Sequence, residues 1–431
     1  MFDLVKHADA THVAINDGAW SDPGTWAGGS VPGNGARVLI QEGVHVEYDV
    51  VSDARLFTVR VDGHLDFETR SDTKMVVDTM VVDGVGRLTI GTEADPIAED
   101  VTADIVIANN GAIDIGWDPQ LLSRGIVSHG AVEIHGQEKT THLKVSTDPM
   151  TGDTSILLDE IPEGWQIGDT LVLAGTHYDG YKYDPAIGAK RHYEPEDEVL
   201  TITAIQGNEV FFDTALQYDH DSPRADLKTS VANYTRNITV STEDPETAAV
   251  HERGHVMFMH NDDVDVRYAA FDELGRTDKS EDLDDPISAT ANVPGRYPFH
   301  FHRTGVGADQ EEAVAVGNAV WGSPGWGYVH HDSHAVLHDN ASYNTFGAGF
   351  VSETGNETGS WTDNIAIYAK GVSWGLPKNP GNTNIAGTEF DTAKTGDGFW
   401  FQSRMVEASG NVAASVNYGF VYFHRGDDKS G

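Results

Sequence analysis

The chain has no cysteine among its 431 residues, which excludes disulfides and thiolate metal sites. It is also poor in positive charge: 28 Lys and Arg stand against 68 Asp and Glu, a formal net charge of −40. The acids are spread along the chain, and this excludes a nucleic-acid partner, since phosphate binding needs a basic surface. The excess of Asp fits salty or calcium-containing surroundings, and solubility alone explains it equally well. No apolar run approaches ~18 residues, so no membrane segment is expected. The opening Met1-Phe2-Asp3-Leu4-Val5-Lys6 lacks the charged and apolar regions of a signal peptide, so a secreted or cell-surface location would need another export signal. The last residues, from Phe423 to Lys429, show no closing element, as for a natural chain that continues.

The hydrophobic content of 39% with nine Trp is globular, and the length calls for two or three domains or one elongated repeat. From about Gly18 to Gly136 short β-type runs, such as Arg37-Val38-Leu39-Ile40 and Arg87-Leu88-Thr89-Ile90, alternate with Gly, Pro and Asp. No helical period competes, so residues 1–136 read as an all-β unit. Residues 137–235 read as a connecting β segment. Its stretch from His177 to Asp197 holds Tyr178, Tyr181, Tyr183, Lys190, Arg191 and Tyr193. Such a loop can stack on sugar rings and meet carboxylates, and an ordinary surface loop explains the same composition. The acidic run at Asp278, Glu281, Asp282 and Asp284 can hold calcium through oxygen ligands, although a solvated loop is the more frequent meaning.

Residues 236–431 repeat. Asn followed by small or branched apolar residues recurs at Asn237, Asn318, Asn340, Asn364, Asn384 and Asn411, with spacings of 22, 24, 20 and 27 from Asn318 onward. Gly followed by an aromatic recurs at Gly327-Tyr328, Gly349-Phe350, Gly398-Phe399 and Gly419-Phe420. Periods of this length with short strands predict a right-handed parallel β-helix with Asn ladders at its turns; a β-propeller has a longer period. Equating the rungs stacks His330 on Ser352 and His331 on Glu353, and places His300 near His330.

The stretch Tyr297-Pro298-Phe299-His300-Phe301-His302 has the alternation of a strand, with two imidazoles roughly 7 Å apart on one face. Imidazoles so placed suit metal ligation or proton transfer. They can also be an ordinary polar face. Arg303, His330, His331, His334 and His338 follow, and a row of His, Asp and Glu on the outer face of a β-helix makes a groove suited to a polymer.

Gly18, Trp20, Trp26, Gly28, Gly29, the turn Pro32-Gly33-Asn34-Gly35, Gly63-His64-Leu65-Asp66-Phe67 and Gly91-Thr92-Glu93-Ala94-Asp95-Pro96 resemble the eight-glycine (G-eight, G8) domain. The two Trp are expected in its core. From Thr235 onward, Arg236-Asn237-Ile238, Gly254-His255-Val256, Gly295 to His302, Val329-His330, Asp339 with Tyr343-Asn344, Glu353 with Gly355, and Gly398-Phe399-Trp400 resemble the catalytic region of the CEMIP and transmembrane-protein-type hyaluronidases. The animal proteins' cysteines and a long insert are absent. His331, His334 and His338 match no family position and read as local surface residues.

The resemblance implies a polysaccharide-degrading enzyme acting on an acidic, hyaluronan-like polymer, with calcium as an aid. A hydrolase would use the carboxyls of Asp339 and Glu353. A lyase would use His300, His302, His330 and Arg303. Alternatively His300, His302 and His330 bind a divalent metal, calcium or a transition metal; no organic cofactor is expected. Substrate contacts are expected from Arg296, Tyr297, Arg303, Asn344, Trp400, Lys190 and Arg191. Since the polymer and the surface carry the same sign, a local basic patch of Arg253, Arg296, Arg303, Lys190 and Arg191 is needed. A monomer is expected, and a non-catalytic carbohydrate-binding or adhesion protein is the rival reading.

Overall fold

The computed structural model describes residues 4–177, 182–184, 189–191, 195–284, 288–307, 309–371 and 392–423. Among them there is no α-helix, only four short 3-10 turns, and 27 strands join one continuous sheet. The pairings inside that sheet are parallel, and the chain visits three ladders in turn, as in Phe299–Gly305, Ala313–Val316, Ala319–Trp321 and then back to Tyr328–His338. This is a parallel β-helix with three walls. No helix among the described residues is long and apolar enough to cross a membrane.

The ladders run without a break from the first unit into the second. Thr73–Val82 pairs with Gly125–Ser128, which pairs with His255–Met259, which pairs with Phe299–Gly305. The early β unit thus supplies the first rungs of the same solenoid. Trp20 and Trp26 lie in its core, edge to face at 4.9 Å, with the Trp26 indole donating to the Trp20 carbonyl.

Both repeats are structural devices. Tyr328, Phe350, Phe399 and Phe420 point inward and stack at 4.7, 4.8 and 5.0 Å. These distances are close to the strand spacing, which carries rings at one register position into face contact. The preceding glycines leave room for this: a Cβ on Gly349 would sit 2.5 Å from the Ser342 hydroxyl. At another corner the amide of Asn318 donates to Asn340, Asn340 to Asn364, and Asn364 to Asn411, at 3.0, 2.9 and 2.9 Å. Asn364 bonds Asn411 directly across 47 residues; Asn384 lies outside the described residues.

Residues 142–233 leave the solenoid as a six-stranded antiparallel sheet with its own core, including Trp165, Leu171, Leu200 and Val231. Its other face, through Val172, Ala174, Ala232 and Tyr234, packs on Ala319, Ala341 and Ile365 of the third wall. The Tyr234 hydroxyl donates to the Ser342 carbonyl at 3.1 Å. Lys190 and Arg191 lie on a hairpin of Lys182–Asp184 with Ala189–Arg191; their side chains are outside the described residues.

Candidate functional site

The strand Phe299–Gly305 sends Phe299 and Phe301 into the core and His300 and His302 to the outer side of the first wall. Its register with the next rung pairs His300 with Val329, Phe301 with His330 and His302 with His331. His330 therefore belongs to the interior column, between Phe301 and Ser352. It is fully buried, with Nε2 2.7 Å from the Ser333 carbonyl and Nδ1 accepting from the Trp361 indole at 3.3 Å. This corrects the expectation that His330 serves as base or ligand: both nitrogens are engaged in the core. Its Ser352 neighbour is the one the rung alignment requires.

The imidazole that joins the pair is that of His331. His302 Nδ1 lies 3.3 Å from His300 Nε2 and 3.1 Å from His331 Nδ1. One ligating nitrogen from each of the three lies within 4.8 Å of the other two. Glu353, one rung on, reaches His331 Nδ1 at 3.1 Å, and Asp332 lies 3.5 Å from its Nε2. The chain turns away from the wall directly beyond this row. The register slips between His302 and Gly305, and Arg303 and Asp332 take φ of 57° and 48°.

Burial, then the neighbouring His302 and His331, holds His300 neutral, well below the usual imidazole range. His302 is pushed down to about 3 by burial and by His331. Burial alone would depress His331 as well, but hydrogen bonds to Asp332 and Glu353 outweigh it and raise it to about 10. Burial raises Glu353, and the His331 contact overturns this and keeps it ionised. Lys279 contributes to the same end. Its ammonium is buried 3.8 Å from the centre of the Trp326 ring, which stacks on Tyr297.

The other expected residues lie elsewhere. Asp339 occupies a left-handed turn position, φ 51°, immediately before Asn340 of the ladder. Gly317, Asp363 and Gly410 fill the same place before Asn318, Asn364 and Asn411, so its type is set by backbone geometry. Its carboxylate faces the inserted domain, 3.9 Å from His142, at the end of a different ladder from the one that Glu353 follows. The Arg296 guanidinium is buried and donates to the carbonyls of Leu121, Pro294 and Gln120, which leaves it no role toward substrate. Tyr297 and Trp400 are buried with Trp326, Val329 and Val351 in an apolar cluster that covers the column above His300. Asn344 is a left-handed residue, φ 55°, on the third wall. Arg303 is exposed and near Asp332 at 3.4 Å. Arg253 is bound to Glu273. The described residues thus assemble no basic patch.

The sequence profile of the G8 domain matches residues 25–146, and that of the CEMIP β-helix matches residues 288–428. The chain thus carries a G8 match followed by a CEMIP β-helix match, on a parallel β-helix fold. A G8 domain-containing protein of Dictyostelium discoideum is 28% identical to this chain over 295 residues, which are 66% of this chain and 23% of the relative. Human fibrocystin-L is 23% identical over 404 residues, 82% of this chain and 9% of its own. The chain therefore spans under a quarter of the length of each of these two curated relatives. Among solved structures, the tailspike gp49 from Pseudomonas phage LKA1 aligns over 86% of this chain and 50% of its own, at a TM-score of 0.20 and 10% identity, too weak a likeness to bear on the argument.

Proposed function

We propose that this protein cleaves an acidic, hyaluronan-like polysaccharide outside the cell, with His300, His302, His331 and Glu353 as the reacting site. One observation carries the reading: three imidazoles and a carboxylate from three successive rungs converge on one point of the outer wall. Adhesion or simple sugar binding needs no such convergence, whereas bond cleavage needs groups that hold or move protons beside the scissile bond. The match to the CEMIP β-helix supports the same substrate class. Within the site Glu353 is the carboxylate beside the imidazoles, and Asp332 orients His331 from the far nitrogen.

The test is incubation of the protein with hyaluronan, chondroitin and alginate, following polymer length together with the ultraviolet absorbance of unsaturated uronates. Shortening with that absorbance identifies β-elimination, and shortening without it identifies hydrolysis. Replacing His302 by Ala or Glu353 by Gln is expected to slow cleavage ~100-fold or more while the β-sheet circular dichroism is kept. Binding without shortening of any polymer would overturn the reading in favour of a carbohydrate-binding protein.

A further inference from the structure

We propose that His300 Nε2, His302 Nδ1 and His331 Nδ1 together hold one divalent late first-row transition metal, zinc or cobalt in chemistry, with a fourth position left open. As the chemistry of polymer cleavage this rests on the function proposed above; as a metal site it stands on geometry alone.

Tetrahedral bonds of ~2.0–2.1 Å from metal to imidazole put neighbouring ligand atoms roughly 3.3 Å apart. The separations from His302 Nδ1 are 3.3 Å and 3.1 Å, and the remaining pair of the set lies within 4.8 Å. In a protein without metal these nitrogens would face one another lone pair to lone pair unless protons bridged them. The second nitrogens show which ones face the common point. His300 Nδ1 points to the Gly295 carbonyl at 3.3 Å, and His331 Nε2 to the Asp332 carboxylate at 3.5 Å. Each outer partner accepts a hydrogen bond from the far nitrogen, the usual support of a metal-bound imidazole; the near Nδ1 of His331 also meets Glu353 at 3.1 Å, so metal binding there displaces the proton shared with that carboxylate.

Three imidazoles suit a borderline metal. Calcium would want six or more oxygens, and here it would find one carboxylate. The three-His set resembles sites that keep a position for water or a substrate oxygen rather than closed structural ones. Glu353 lies 3.1 Å from His331 Nδ1, on the side of the three nitrogens. A divalent ion also supplies the cationic point that the described arginines do not, since Arg296 is consumed by backbone carbonyls and Arg253 by Glu273.

The experiment strips the full chain with chelator and titrates it with Co²⁺, Zn²⁺ and Ca²⁺. One equivalent of Co²⁺ with visible d–d bands is expected, displaced by Zn²⁺ and indifferent to excess Ca²⁺. Uptake is lost in His302→Ala and His331→Ala, retained in His338→Ala, and weakened ~10–100-fold in Asp332→Asn. In the unaltered chain Zn²⁺ should protect His302, but not His338, from imidazole acylation, a readout that requires no variant to fold. No saturable uptake, uptake that survives His331→Ala, or absence of that protection would overturn the site. Polymer cleavage by a chain that takes up no metal would overturn this inference and leave the proposed function; uptake without cleavage would do the reverse.

Discussion

At the scale of single residues, one position decides roles. His330 and His331 are adjacent and chemically alike, but the pleat sends the first into the core and the second to the outer wall. The count of histidines was legible in the sequence; their partition between faces needed the register with Phe299–Gly305. Buried carboxyls show the same dependence on place. Asp397, fully buried with Thr395 donating to it, is raised from 3.8 to about 6 by burial, which outweighs the Thr395 hydrogen bonds. A carboxyl whose folded pKa exceeds its unfolded value keeps its proton longer in the folded state, so stability falls as pH rises from about 4 to about 6. The span corresponds to about 3 kcal/mol at most. Denaturant midpoints measured across that window should decline less in Asp397→Asn than in the unaltered protein; parallel declines would assign the loss to other groups.

At the scale of elements, the Asn ladder and the aromatic stack fix the rungs. Asn340 accepts from the backbone and side chain of Asn318, both at 3.0 Å, and donates to Asn364 and to the Ala315 carbonyl, both at 2.9 Å. Asn340→Ala leaves these buried groups without partners and is expected to cost about 3 kcal/mol, whereas Asn411→Ala, partly exposed, should cost about 1 kcal/mol. Urea unfolding of both variants tests the difference, and equal losses would refute the ladder as the source. The period was readable from the recurring Asn ahead of small or branched apolar residues; the structure adds that the Gly or Asp before it takes the left-handed corner, as at Gly317, Asp339, Asp363 and Gly410. That pattern also explains Asp339, which looks like a catalytic acid in the sequence and is a turn residue in the fold.

At the scale of the whole molecule, a solenoid contacts itself only rung to rung, so charge on its long outer surface is poorly offset by distant parts of the chain. With a net charge of −40 the folded state repels itself. Raising NaCl to about 0.5 M should raise the melting temperature, because the screening length shortens to a few ångströms. An unchanged melting temperature would mean that local pairs, such as Arg60 with Asp62 and Asp83, already neutralise the field.

The sequence by itself determined the all-β class, the solenoid period and the G8 opening, because these follow from local alternation, turn chemistry and repetition along the chain. Tertiary structure alone decided that the first unit is continuous with the β-helix, that residues 142–233 fold apart and dock on the third wall, and that His331 rather than His330 meets His300 and His302. The physical reason is that a face and a neighbour are properties of strand register, and register is set by which rungs stack. Lys279, buried on the Trp326 ring and helping to keep Glu353 ionised, had no signal in the sequence for the same reason: a lysine becomes part of a site only through what is folded around it.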